Sequence, residues 1–219
     1  MSEFSVLYLP YDRIREITSQ FLKKYHPSGT IPVPIEEIIE FQMGINIVPM
    51  PGLQDTLEND GFEMLGFTSS DLKDITVDQW IWQHRPGRYR FTLAHEVGHI
   101  VMHQELYEAA SFRTIEEWKK FINGIPDKIH GRYEWQAYAF AGLVLVPRDP
   151  LKVIVDKHIK AILKLLEKEK IPLSEAWESI WDQIYELAAR DFAVSPEVIQ
   201  RRIDHDRIRE SYPTEFKPA

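Results

Sequence analysis

The chain of 219 residues contains no cysteine. That absence excludes disulfides, iron–sulfur clusters, thiol nucleophiles and every zinc site with a thiolate ligand, so a bound metal must be held by histidine and carboxylate. Long apolar runs are missing as well. AYAFAGLVLVP, ending at Pro147, is the longest weakly polar stretch and falls short of the ~20 apolar residues of a membrane span. Charged residues interrupt MSEFSVLYLPYDRIREITSQ before a signal-peptide core is complete. Together these features lead us to expect a cytoplasmic protein with no membrane partner. An excess of positive charge is also lacking: 26 basic against 34 acidic residues leave a net charge of −8, ill suited to a surface that coats nucleic acid. Repeats and low-complexity segments are absent. What remains, 44% hydrophobic and 27% charged residues, is the composition of a folded globular chain.

The hydrophobic spacing predicts a helix over 11–25, with Ile14, Ile17, Phe21 and Leu22 on one side, and a short second helix in IEEIIEFQMG ended by Gly44. INIVPM reads as a strand. MLGFTS and DITVDQWIWQ, rich in β-branched and aromatic residues, predict an antiparallel meander with Trp80 and Trp82 alternating on a strand. RPGRYR reads as a small basic turn. Helices follow: FTLAHEVGHIVMH, then TIEEWKKFI with Thr114 and Glu117 at capping-box spacing, then YEWQAYAFAGLVLV. Two long amphipathic helices, a short one at VSPEVIQRRI and a frayed tail, SYPTEFKPA, complete the chain. This order predicts an α+β fold, with a small antiparallel-type sheet packed with helices and a helical C-terminal part. The expected division is a core with its N-terminal helix over 1–148 and a C-terminal helical subdomain over 149–219.

The most informative residues are His95, Glu96, Val97, Gly98 and His99. Histidines four apart on a helix share one face, so both imidazoles can reach one ion. Glu96 stands ~100° of helix rotation away, beside the metal position without being a ligand, where it can take a proton from water. Leu93, Val97, Ile100 and Val101 give the helix an opposite apolar face. Gly98 costs up to ~1 kcal/mol of helix propensity, which suggests a close neighbour there.

A catalytic zinc site has three protein ligands and an open position. Met102 and Glu105 stand where a metzincin continuation would need glycine and histidine. Glu105 and Glu108 follow the second histidine too closely unless the helix stops early. Glu134 is the better candidate, a lone acid in EWQAYAFAGLVLVP, since a carboxylate in an apolar helix is costly unless paired or bound. The competing reading is an exposed first-turn glutamate favoured by the helix dipole. Ala137, Ala139, Ala141 and Gly142 leave room for tight packing on the histidine helix.

FTLAHEVGHIVMH followed by EWQAYAFAGLVLVP resembles the ImmA/IrrE family of zincin-like metallopeptidases. Matched residue by residue, the resemblance implies a metal held by His95, His99 and Glu134, with Glu96 as the catalytic acid/base. Tyr138 stands where the family usually has asparagine. The implied cofactor is Zn2+, with Mn2+ as an in vivo alternative. The implied activity is that of a zinc metallo-endopeptidase acting on a narrow protein substrate, a helix-turn-helix transcriptional repressor, and so controlling mobile-element or stress-response genes. The rival is a non-proteolytic metal-containing regulatory protein of a prophage or toxin–antitoxin system; the general base Glu96 favours the enzyme. Direct contact with nucleic acid is not expected. Arg201, Arg202, Arg207 and Arg209 give the C-terminal helices charge, but Asp204, Asp206 and Glu210 interrupt it. His103, one turn further along the histidine face, reads as a helix-face histidine with a local hydrogen bond, the alternative being a place in the cleft. His130, Tyr133 and Tyr138 flank Glu134 and read as packing residues, the alternative being a donor to the oxyanion. Phe112, Trp118 and Phe121 read as a wall or filling of the segment between the motif helices.

Overall fold

The computed structural model describes residues 6–53, 65–109, 112 and 114–212. Helix α1 (Tyr11–Tyr25) buries Ile14, Thr18 and Phe21, a spacing of four and then three that marks one helical face. Helix α2 (Ile35–Glu37) widens into a π-helical turn over Ile38–Met43 and stops at Gly44, whose φ of 68° is the left-handed conformation that glycine adopts without strain. Strand β1 (Asn46–Met50) follows, then β2 (Gly66–Thr68) and β3 (Asp74–Asp78), in the sheet order β1-β3-β2.

The meander is antiparallel only between β2 and β3, where Phe67 faces Thr76. β1 runs parallel to β3 with Val48 opposite Thr76, so the sheet is mixed. Apolar alternation is the same in either direction and gives no sign of orientation. Residues 51–73 supply the dozen or more positions that a parallel connection requires. Met64, the start of MLGFTS, lies outside the described residues, as does the tail beyond Tyr212.

β3 also ends sooner than its aromatic pattern suggests. The Asp78 side chain accepts from the Ile81 backbone N–H at 3.0 Å and caps helix α3 (Gln79–His84). Trp80 and Trp82 therefore lie on a helix, exposed, while Ile81 is buried. RPGRYR is likewise not a turn. Pro86 opens helix α4 (Pro86–Met102) from the first helical position, where its missing N–H costs nothing. α4 lies against β2 and β3 and buries Leu93, Ala94 and Val97.

Helix α5 (Gln104–Ala109) and helix α6 (Ile115–Asn123) fill the segment between the motif helices. Thr114 caps α6 by accepting from the Glu117 N–H at 3.2 Å. Phe112 is buried with Val6, Leu106, Tyr107 and Tyr133, and Trp118 and Phe121 pack against that cluster, so these side chains fill the segment. Helix α7 (Asp127–Leu145) begins seven residues before Glu134. Gly131 weakens the helical pattern there by only ~1 kcal/mol and does not interrupt it. Glu134 is thus not a first-turn residue.

By backbone contacts the chain forms two compact units, Met1–Thr30 with Pro34–Val144, and Ile31–Val33 with Leu145–Ala219. The second holds helix α8 (Arg148–Glu169), helix α9 (Leu173–Phe192) and helix α10 (Pro196–His205). Leu151, Val155, Ile159 and Ile162 give α8 its buried stripe. Arg202 is buried, donating to Asp206 at 2.8 Å and to the Val146 carbonyl at 3.1 Å. Arg209 donates to Glu178 and lies over the rings of Trp177 and Trp181. Two of the four C-terminal arginines are therefore engaged within the unit. The whole is an α+β fold with a helical C-terminal part, and among the described residues no helix is long and apolar enough to cross a membrane.

The first unit is closely packed at Gly98. A Cβ added there would lie 3.2 Å from the Ala137 Cα and 3.2 Å from the Phe140 ring, on the neighbouring face of α7. Overpacking of this kind costs ~1–3 kcal/mol, more than the ~1 kcal/mol of helix propensity that alanine adds. Gly98→Ala is expected to lower the urea midpoint of unfolding. An unchanged or higher midpoint would show slack between α4 and α7.

Candidate metal centre

His95 and His99, one turn apart on α4, bring their Nε2 atoms to 2.9 Å from each other. Glu134 meets them from α7, with Oε2 3.2 Å from His95 Nε2 and Oε1 3.7 Å from His99 Nε2. Two imidazole nitrogens this close either share a proton or aim their lone pairs at a common cation. The close approach at Gly98, one residue before His99 on the same helix, allows the carboxylate of one helix to reach the histidines of the other. Glu105 is exposed at the start of α5 and takes no part, and the Glu108 side chain lies outside the described set.

Glu96 is buried beside the cluster and is held from the sheet. The Thr68 hydroxyl on β2 donates to Glu96 Oε2 at 2.9 Å. Tyr107 contacts Thr68 in turn and hydrogen-bonds to the Tyr133 hydroxyl at 2.8 Å. The Tyr133 ring stacks on His99 at 3.9 Å between centroids. Tyr133 is thus packing and hydrogen-bonding framework, as the sequence suggests. Tyr138 is half-exposed, its ring edge-on to His95 at 4.8 Å and 5.5 Å from Phe91. His130 Nε2 lies 3.8 Å from Glu134 Oε1.

His103, at the end of α4, does more than cover a helix face. Its Nδ1 lies 3.1 Å from His99 Nδ1, and its Nε2 lies 2.9 Å from Gln136 Oε1 on α7. Gln136 Nε2 donates to the Leu7 carbonyl at 2.8 Å. The i, i+4 spacing of His99 and His103 was the available signal for this contact. Thr68 gave none, and Gln136, although it stands within the EWQAYAFAGLVLVP motif, gave no sign of its partner on the other helix.

The IrrE N-terminal-like domain model, Peptidase_M78, matches residues 42–204, which contain every one of these residues except Leu7. The chain belongs to that family. A Mycobacterium tuberculosis transcriptional regulator of known structure aligns at 15% identity and a TM-score of 0.48, over 90% of this chain and 52% of its own length. This chain therefore spans about half of that protein. No curated protein matches.

A metallopeptidase family implies a divalent metal, and the donor set fits one. Tetrahedral zinc, with bonds of ~2.0–2.1 Å, separates its ligand atoms by about 3.3 Å, close to the distances between these nitrogens and oxygens. Protonation also fits. Burial draws His99 well below the ordinary histidine range, with the nearby His95, His103 and His130 adding to the effect. Burial tends to raise Glu134, but its hydrogen bond to His95 and the charges of His95, His130 and His103 outweigh that and lower it. Metals take the neutral imidazole and the ionised carboxylate. His95 differs: burial draws it down, but its hydrogen bond to Glu134 and the charges of Glu134 and Glu96 raise it overall, so a metal there must displace its proton. Burial pushes Glu96 up to about 7, opposed by His95 and the Thr68 hydroxyl.

A ligand that binds only the folded chain stabilises it by ~2.7 kcal/mol at a hundred times its Kd. Thermal unfolding with and without divalent metal is expected to show a rise in Tm that chelation reverses. A Tm indifferent to Zn2+ and Mn2+ would contradict a metal site.

Proposed function

We propose that this chain is a zinc-dependent endopeptidase in which His95, His99 and Glu134 hold the metal and Glu96 moves the proton. The observation that carries this reading is the meeting of three metal-binding donors from α4 and α7 beside a buried carboxylate that is not one of them. A binding module would have no use for that carboxylate, whose burial is costly.

A zinc ion in this set would polarise a peptide carbonyl and acidify water. The protein's own part follows from its side chains. Thr68 holds the Glu96 carboxylate through its hydroxyl and its backbone N–H, and the carboxylate so placed would accept the proton of the attacking water and return it to the leaving amine. Burial raises this carboxyl, which favours its taking a proton from the water and carrying it to the leaving amine. Among the described residues β2 is an edge strand of the sheet, and it carries Thr68, so an extended substrate added to β2 would pass the proton-transfer group. The resemblance to the ImmA/IrrE family extends the reading to a narrow substrate, a helix-turn-helix repressor, with Mn2+ able to replace zinc in vivo.

Glu96→Gln is expected to keep zinc and fold while hydrolysis falls by ~10²–10⁴, the contribution of a positioned general base. Thr68→Val should retain zinc and reduce kcat with little change in KM, since the threonine positions Glu96 and does not touch the metal ligands. The assay uses candidate repressors as substrates and casein as the indiscriminate control. Wild-type hydrolysis by Glu96→Gln would remove the mechanism, and rapid Glu96-dependent digestion of casein would remove the narrow specificity.

A further inference from the structure

Leu7 has a backbone carbonyl that can only accept hydrogen bonds, and this one atom sets the direction of every proton in a chain of contacts that ends at His99. The Gln136 amide must turn its NH2 toward Leu7, which it meets at 2.8 Å, so its oxygen faces His103. His103 must then donate from Nε2 to that oxygen at 2.9 Å. In the neutral ring the other nitrogen of His103 is an acceptor, so His99 donates from Nδ1 across 3.1 Å. His99 Nε2 is left without a proton, pointing at His95 and Glu134.

We propose that His103 and Gln136, anchored by the segment Val6–Tyr8, are positioning residues that lock His99 in its metal-binding tautomer. The anchor is itself built in. Arg132 donates to the Val6 carbonyl at 2.9 Å, Val6 is buried among Leu106, Tyr107 and Tyr133, and Tyr8 stacks on Trp135 at 6.4 Å between centroids. All three contacts place the segment along α7, the helix that carries Glu134. His95 differs: its Nδ1 is buried with no hydrogen-bond partner among the described residues. The two histidines are thus braced unequally, and His99 is the one the protein orients. Partners that orient a ligating histidine in this way contribute 10–100-fold to metal affinity.

The inference rests on the metal reading above, and the test separates the two. Zinc affinity is measured by chelator competition on the full chain for the wild type, His103→Phe, His103→Asn, Gln136→Leu and the double variant His103→Phe/Gln136→Leu. The Tm of each is recorded without metal. His103→Phe and Gln136→Leu are expected to weaken zinc binding by ~10–100-fold. His103→Asn, which returns an acceptor near the Nδ1 position, should lose less than His103→Phe. The double variant should lose no more than the worse single one, because one relay is broken only once. Wild-type affinity in both single variants would overturn the relay while leaving the metal site standing. So would losses that add in the double variant, or that follow Tm with no rescue by asparagine. Failure of the wild-type chain to bind zinc would remove the metal reading, and the relay's purpose with it.

Discussion

At Gly98 two helices meet with no side chain between them, and the positions of the donor atoms follow from that approach. α4 supplies His95, Glu96, His99 and His103, while α7 supplies Glu134 and Gln136. A methyl group at position 98 would press on the Ala137 Cα and the Phe140 ring and move the helices apart. The carboxylate of Glu134 would then withdraw from both imidazoles, and the amide of Gln136 from His103. A second close approach sets the other wall. A Cβ on Gly66 would lie 2.7 Å from the Thr92 side chain of α4 and 3.0 Å from the Thr76 carbonyl. This lets β2 come down on α4 and places the Thr68 hydroxyl on Glu96.

The same closeness creates a cost. Three histidines, two glutamates, a threonine and a glutamine are gathered between packed elements, and buried polar groups left without partners are strongly destabilising. The structure meets that cost with short ordered contacts, from Thr68 to Glu96, from His99 through His103 and Gln136 to Leu7, and between Tyr107 and Tyr133. At His95, His99 and Glu134 three donor atoms converge on one another instead of each meeting a separate partner. Converging donors of this kind are a group that could hold a metal ion.

Residues whose meaning lies in local spacing were legible in the sequence. His95 and His99 at i, i+4, the cap at Thr114, the glycine at 98 with small residues facing it, and the lone acid at 134 each carry their reason within one helix or one helix pair. Residues whose meaning lies in tertiary placement were not. Thr68 is ordinary for a short strand until that strand is laid across α4. Gln136 stands in the EWQAYAFAGLVLVP motif, but its role shows only once the N-terminal segment presents a carbonyl to it. Trp80 and Trp82 have strand-like alternation, but a single carboxylate, that of Asp78, caps a helix at their start and overrides it. The direction of β1 against β3 is set by how the connection returns, which no periodicity records.

We infer that one metal ion sits between α4 and α7 on His95, His99 and Glu134. Diffraction data collected on both sides of the zinc absorption edge, from crystals of the zinc-loaded protein, test it most directly. A single anomalous peak per chain is expected, ~2.0–2.2 Å from His95 Nε2, His99 Nε2 and a Glu134 carboxylate oxygen. A peak ligated by Nδ1 of His99, or one that leaves Glu134 uncoordinated, would contradict it.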